Sequence, residues 1–73
     1  MTLYALFRQH RYPVTLSAGL LRGAFGDVSH EVPVVVCYDD EPEWRAVSLA
    51  YQLYQAGYRN VTTEQREGAA RCQ

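Results

Sequence analysis

Residues 32–38, Val-Pro-Val-Val-Val-Cys-Tyr, are the most apolar stretch of the chain and the feature that most restricts its fold. A β-branched run without polar alternation describes a strand covered on both faces. The next residues carry helix-start chemistry. Asp40 is placed to accept a backbone amide as N-cap, Pro42 falls in the first turn, where a missing N–H costs nothing, and Glu43 completes an Asp-x-x-Glu capping box. Gly57 supplies a left-handed stop. Stepping about 100° per residue, Ala46, Val47, Leu49, Ala50, Leu53 and Tyr54 share one broad arc that faces a core. Arg45, Ser48, Gln52 and Gln55 lie opposite, and Trp44 and Tyr51 fall on the flank. Those two aromatics read either as the rim of the core or as exposed anchors of the kind that dominate binding interfaces. Val61-Thr62-Thr63 then makes a short strand. Strand, helix and strand form a βαβ unit, so the two strands are expected to run parallel with a right-handed crossover.

The N-terminal half is less sharply written. Residues 2–8 mix apolar, aromatic and β-branched types and read as a strand, at a sheet edge or central, with Pro13 closing the short stretch after it. Thr15 or Ser17 is placed to cap a short helix through Phe25, with Leu20, Leu21, Ala24 and Phe25 as its apolar stripe and Gly19 and Gly23 weakening it. The expectation is therefore an α/β fold, a small single domain over residues 1–63 with one βαβ unit plus an N-terminal strand and short helix. Residues 64–73 are polar and small and read as a flexible tail. A chain of 73 residues has little core; domains of this size hide only about 60% of the surface their unfolded chain exposes, which favours a stabilising partner.

The basic residues are all arginine, and their distribution says more than the net charge of -1. Residues 1–30 carry Arg8, Arg11 and Arg22 against Asp27, whereas residues 31–44 carry Glu31, Asp39, Asp40, Glu41 and Glu43 with no base. Near-neutrality argues against a protein that lives by wrapping nucleic acid, because such affinity comes largely from neutralised phosphates. Cys37 and Cys72 fit a buried thiol and a tail thiol better than a disulfide, and neither they nor His10 and His30 have metal-ligand spacing. Asp39 and Asp40 are more simply helix-terminal acids than a catalytic pair. With no Ser/His/Asp arrangement and no Gly-rich phosphate loop, the chain is expected to be no enzyme, to need no cofactor or metal, and to act on no small-molecule substrate. No apolar run approaches the ~20 residues of a bilayer span, and the start of the chain lacks a signal-peptide layout. The expected location is the cytoplasm. Tyrosine-rich, arginine-only composition fits a protein–protein surface, and Arg8, Arg11, Asp39, Asp40, Glu41, Glu43, Trp44 and Tyr51 are the residues expected to meet a partner.

Two resemblances bear on function. The segments Pro33-Val-Val-Val-Cys-Tyr, residues 46–53 and Gly57-Tyr58-Arg59-Asn60-Val61 resemble the C-terminal half of rhodanese-like sulfurtransferase domains, which implies a sulfurtransferase or a sulfur-carrier partner. In that alignment the nucleophile position falls on Tyr38, and Cys37, one step back, turns to the other face. The loop Asp39-Asp40-Glu41-Pro42-Glu43 would repel an anionic substrate, and a reactive thiolate needs positive surroundings. The whole chain, from Met-Thr-Leu-Tyr-Ala-Leu-Phe-Arg to Tyr-Gln-Ala-Gly-Tyr-Arg-Asn-Val, is similar to the small RNA polymerase-binding transcription regulators of lytic Xanthomonas bacteriophages. That resemblance implies docking on the host polymerase at the β′ subunit N-terminus and the β flap, near the RNA exit channel. It implies inhibition of initiation by sigma displacement, and antitermination. The charge distribution adds a separate expectation, that Arg8, Arg11 and Arg22, on the side opposite the acidic turn, face the emerging transcript in an indirect contact with nascent RNA.

Overall fold

The computed structural model describes residues 1–65. Its elements are β1 (Thr2–Phe7), β2 (His10–Ser17), β3 (Leu20–Gly23), β4 (Gly26–Asp27), β5 (Val34–Tyr38), α1 (Glu43–Gln55) and β6 (Val61–Gln65). They build a single small α/β domain, a six-stranded mixed sheet in the order β4-β3-β2-β1-β5-β6 with α1 packed on one face. The expected βαβ unit is present. β5 and β6 pair in parallel from Val34↔Val61 to Tyr38↔Gln65, with α1 as the crossover.

The N-terminal half departs from the expected helix. Residues 15–25 continue β2 into a hairpin with β3, registered Val14↔Gly23, Leu16↔Leu21 and Ser17↔Leu20. The turn residues Ala18 and Gly19 both take positive φ, 53° and 80°, as tight hairpin turns require. The apolar signal was of period 2. Val14 and Leu21 are buried and Leu16 packs against the core from one face, with Gly23 where the backbone must come close. A Cβ at Gly23 would stand 2.9 Å from both the Tyr12 and Val14 side chains. Pro13 does not close a strand. It lies inside β2 opposite Tyr4, one residue outside the β2–β3 pairing, where the strand is paired on one side only. β1 is central, flanked by β2 and β5, so the edge alternative for residues 2–8 is excluded.

α1 starts later than the capping signals suggest. Pro42 is itself the N-cap (φ −62°, ψ 144°), with no side-chain cap bond. Asp40 is two residues too early to cap, and the Asp40–Glu43 capping box does not form. The C-terminal signal holds. Gly57 has φ 110°, its N–H donates to Tyr54 O, and Tyr58 N–H donates to Leu53 O, both at 3.0 Å. This pair of bonds is a Schellman motif, and Leu53 and Tyr58 are both fully buried in the core cluster.

The core lies between α1 and one face of the sheet. Ala46, Ala50 and Leu53 meet Ala5, Val14, Leu21, Val34, Val36 and Val61 there. Tyr58 ties this layer to the meander: its hydroxyl accepts from Leu21 N–H (2.8 Å) and donates to Val28 O (3.2 Å) in a fully buried setting. The His30 ring stacks edge-on against it at 4.6 Å. All five residues of β5 are buried, as the apolar run predicts. Its second face, however, is shielded by long side chains rather than by a second layer. Arg11 reaches Cys37 Sγ (3.8 Å) and pairs with Glu64 (2.7 Å) across it. Glu64 and Gln65 belong to β6, not to a tail, and residues 66–73 lie outside the described residues.

Candidate interaction surface

Strand directions separate the charges in space. Thr2 pairs with Cys37 at one end of β1 and Phe7 with His10 at the other, so the acidic turn after β5 sits at the Met1 end and Arg8 at the opposite end. The turn is tied down by Glu41. One carboxylate oxygen accepts from Asp39 N–H (2.8 Å) and the other meets the Met1 ammonium at 2.7 Å. Those bonds, led by the ammonium, lower the Glu41 carboxyl to about 2. Glu41 is thereby a structural acid of the turn, while Asp39, Asp40 and Glu43 remain exposed.

Beside this turn, α1 presents a second apolar face. Buried Ala46, Ala50 and Leu53, with half-buried Leu49, take only part of the apolar arc. Val47 and Tyr54, expected in the core, are 51% and 49% exposed, and Trp44 and Tyr51 are both 62% exposed. Stepping about 100° per residue, Trp44, Val47, Tyr51 and Tyr54 form a continuous stripe that spaces three, four and three residues apart. The apolar arc is wider than the sheet beneath can cover, because β6 is the last strand on that side among the described residues. Between the stripe and β6 runs an open cleft of about 390 Å³, lined by Val47, Ala50, Tyr51, Tyr54, Val61, Thr62 and Thr63. The Tyr54 hydroxyl donates to Val61 O (3.0 Å), both residues lining the cleft.

The opposite end of the domain holds a second aromatic group, hidden from the sequence by the helix expected there. Phe25, 74% exposed, packs against Phe7 (6.0 Å between centroids) and edge-on against Tyr12 (5.0 Å). Arg8, in the β1–β2 turn with φ 52°, stands 5.4 Å over the Phe7 ring. The hairpin signal that would have found this cluster is the two-residue spacing of Phe7 and His10 around Arg8-Gln9. Arg11 is not grouped with Arg8: it lies across the sheet face away from α1, where its pairing with Glu64 raises its pKa. Arg22 bonds Asp27 at 2.9 Å. The eight candidate residues thus divide. Asp39, Asp40, Glu41, Glu43, Trp44 and Tyr51 fall on the acidic end and the helix stripe, Arg8 at the far end, and Arg11 on the other face.

For the rhodanese-like comparison, Tyr38 is buried in the helix-side core and Cys37 faces away from α1, 2% exposed, so neither opens at the loop mouth. Among the described residues no group of three His, Cys, Asp or Glu side chains could hold a metal ion, and no helix is long and apolar enough to cross a membrane. Searches against family models, curated proteins and solved structures return no match to this chain.

Proposed function

We propose that this chain is a non-enzymatic, phage-encoded regulator that acts in the bacterial cytoplasm by binding the host RNA polymerase, at the β′ N-terminus and the β flap near the RNA exit channel. It inhibits initiation by displacing sigma and promotes antitermination. The polymerase as partner comes from the whole-chain resemblance. The observation that carries the binding mode is the helix stripe of Trp44, Val47, Tyr51 and Tyr54, uncovered beside an exposed acidic turn. Large aromatics in a contiguous exposed patch mark binding surfaces, and an adjacent single-sign charge adds steering and selectivity. A small domain with an acidic edge and an aromatic face competes with sigma for a basic, apolar patch without chemistry of its own. Of the three arginines expected to face nascent RNA, Arg11 and Arg22 pair with Glu64 and Asp27, whereas Arg8 lies at the far end over the Phe7 ring.

The test is capture of purified bacterial RNA polymerase on the immobilised protein, followed by promoter-dependent transcription in vitro. The expected result is retention of the core enzyme, loss of sigma and reduced initiation. No retention together with unchanged transcription refutes the proposal. Charge reversal at Asp39, Asp40 and Glu43, leaving Glu41 in place, should weaken retention more than it lowers the melting temperature.

A further inference from the structure

β6 is an outer strand among the described residues, and its open side borders the cleft beside α1. The ladder fixes which backbone groups look outward. Val34 N–H donates to Asn60 O (2.8 Å). Successive residues of a parallel strand alternate between facing the partner and facing away. Asn60, Thr62 and Glu64 therefore turn their main chain toward β5, and Val61, Thr63 and Gln65 turn theirs to the open edge. Val61 O is already taken by the Tyr54 hydroxyl, which leaves Thr63 and Gln65 as the next pairing positions.

Sheet edges in natural proteins are normally guarded by lysine, proline or a bulge. This one reads Val-Thr-Thr-Glu-Gln, with no lysine or proline, and its one charge, Glu64, is turned to the other face and paired with Arg11. The edge runs toward the acidic turn, since β5 and β6 are parallel and β5 ends there. An edge unguarded among the described residues, an apolar cleft along it and acids at one end specify a ligand by chemistry.

We infer that the α1–β6 cleft is a strand-addition site that takes an extended polypeptide segment as a seventh strand, antiparallel to β6. Alternate apolar side chains enter the cleft against Val47, Tyr51 and Tyr54, and basic residues at the segment's amino end lie against Asp39, Asp40 and Glu43. Main-chain bonds to Thr63 and Gln65 supply affinity, while the cleft and the acids supply sequence preference. This deepens the polymerase proposal by naming the site and the form of the partner segment, and it rests on that proposal only for the identity of the partner.

The test uses the full chain and a capped synthetic peptide with two arginines followed by five residues alternating valine and threonine. Binding is read by amide chemical shifts and hydrogen exchange. The expected result is slowed exchange at the Thr63 and Gln65 amides. A peptide with glutamates in place of the arginines, or with N-methylated valines, should bind at least tenfold more weakly. Thr63→Pro removes an outward N–H without touching the β5 ladder, and Tyr51→Ala shortens the cleft wall; each should cost at least tenfold in peptide affinity. Peptide binding that spares Thr63 and Gln65, or no binding at millimolar peptide, overturns the inference. So does protection of those amides without peptide, which would mean that the chain itself or a second copy holds the edge. The two readings fail separately. Peptide binding here with no polymerase retention sinks the polymerase proposal alone, and polymerase retention that survives both Thr63→Pro and Tyr51→Ala sinks the strand-addition site alone.

Discussion

Removing a single oxygen from Tyr58 should cost a large share of the stability of this domain. Tyr58→Phe keeps the ring but deletes the group that accepts from Leu21 N–H at 2.8 Å and donates to Val28 O at 3.2 Å. Tyr58 and Leu21 are both fully buried and Val28 is 5% exposed, so water has no ready path to either orphaned group. A buried donor left without a partner costs about 1–3 kcal/mol, and the lost bond to the carbonyl about 1 more, giving about 2–4 kcal/mol. A chain of 73 residues has a total stability of roughly 4–11 kcal/mol at ~0.05–0.15 kcal/mol per residue. For a domain of this size each kcal/mol moves the melting temperature by about 4–8 °C, so the variant should melt at least about 8 °C lower. Tyr54→Phe is the control. Its hydroxyl also bonds a carbonyl, Val61 O at 3.0 Å, but the side chain is 49% exposed, and solvent should hold the loss to about 0.5–1 kcal/mol. The assay is urea unfolding of the three proteins, compared at equal m-value. If Tyr58→Phe loses less than Tyr54→Phe, the tie between the loop after α1 and the β3–β4 region is not the energetic link described.

Other perturbations separate the parts of the surface. Trp44→Ala should leave the unfolding midpoint within about 0.5 kcal/mol, the usual range for exposed positions, because the ring is 62% exposed, while weakening polymerase retention at least tenfold; unfolding instead would make Trp44 a core residue. Gly57→Ala should destabilise by about 1–2 kcal/mol, the usual cost of a left-handed non-glycine residue, since φ is 110° and the added Cβ would stand 3.3 Å from the His30 ring; thermal melts decide it. Glu41 has its folded carboxyl lowered to about 2, first by the Met1 ammonium. Its contribution is therefore complete above the unfolded value of about 4.3, and is lost as pH falls through the folded one. Glu41→Gln should flatten the acid limb of the stability profile between about pH 5 and pH 2, and an unaltered limb would mean that the turn does not depend on this contact.

The C-terminal half was legible because its signals are local and mutually consistent. The apolar run, the helical arc and Gly57 each point to the same strand, helix and stop, and the parallel pairing follows from connection length alone. The N-terminal half misled because Leu20, Leu21, Ala24 and Phe25 suit either period over so few residues. What decides for strands is the Ala18-Gly19 turn and the tight approach at Gly23, a long-range fact about Tyr12 and Val14 that helix propensity does not see. The cap was misplaced by two residues because Pro42 holds the N-cap and Glu41 spends its carboxylate on the Met1 ammonium and Asp39. Of the site, the acidic turn and the two flank aromatics could be read from the sequence. Val47 and Tyr54 could not, since their exposure depends on β6 being the outer strand among the described residues.

The central place of β1 governs how the domain comes together as it is made. Translation releases β1 to β4 first, a meander held by local hairpins, with one flank of β1 and the whole apolar face bare. That flank is satisfied only when β5, paired Thr2↔Cys37 through Ala5↔Val34, arrives some thirty residues later. Closing that loop costs chain entropy that the local hairpins do not, and until it closes β1 is paired with β2 alone. Soluble yield should respond more to substitutions that speed β5 docking than to any on the finished surface.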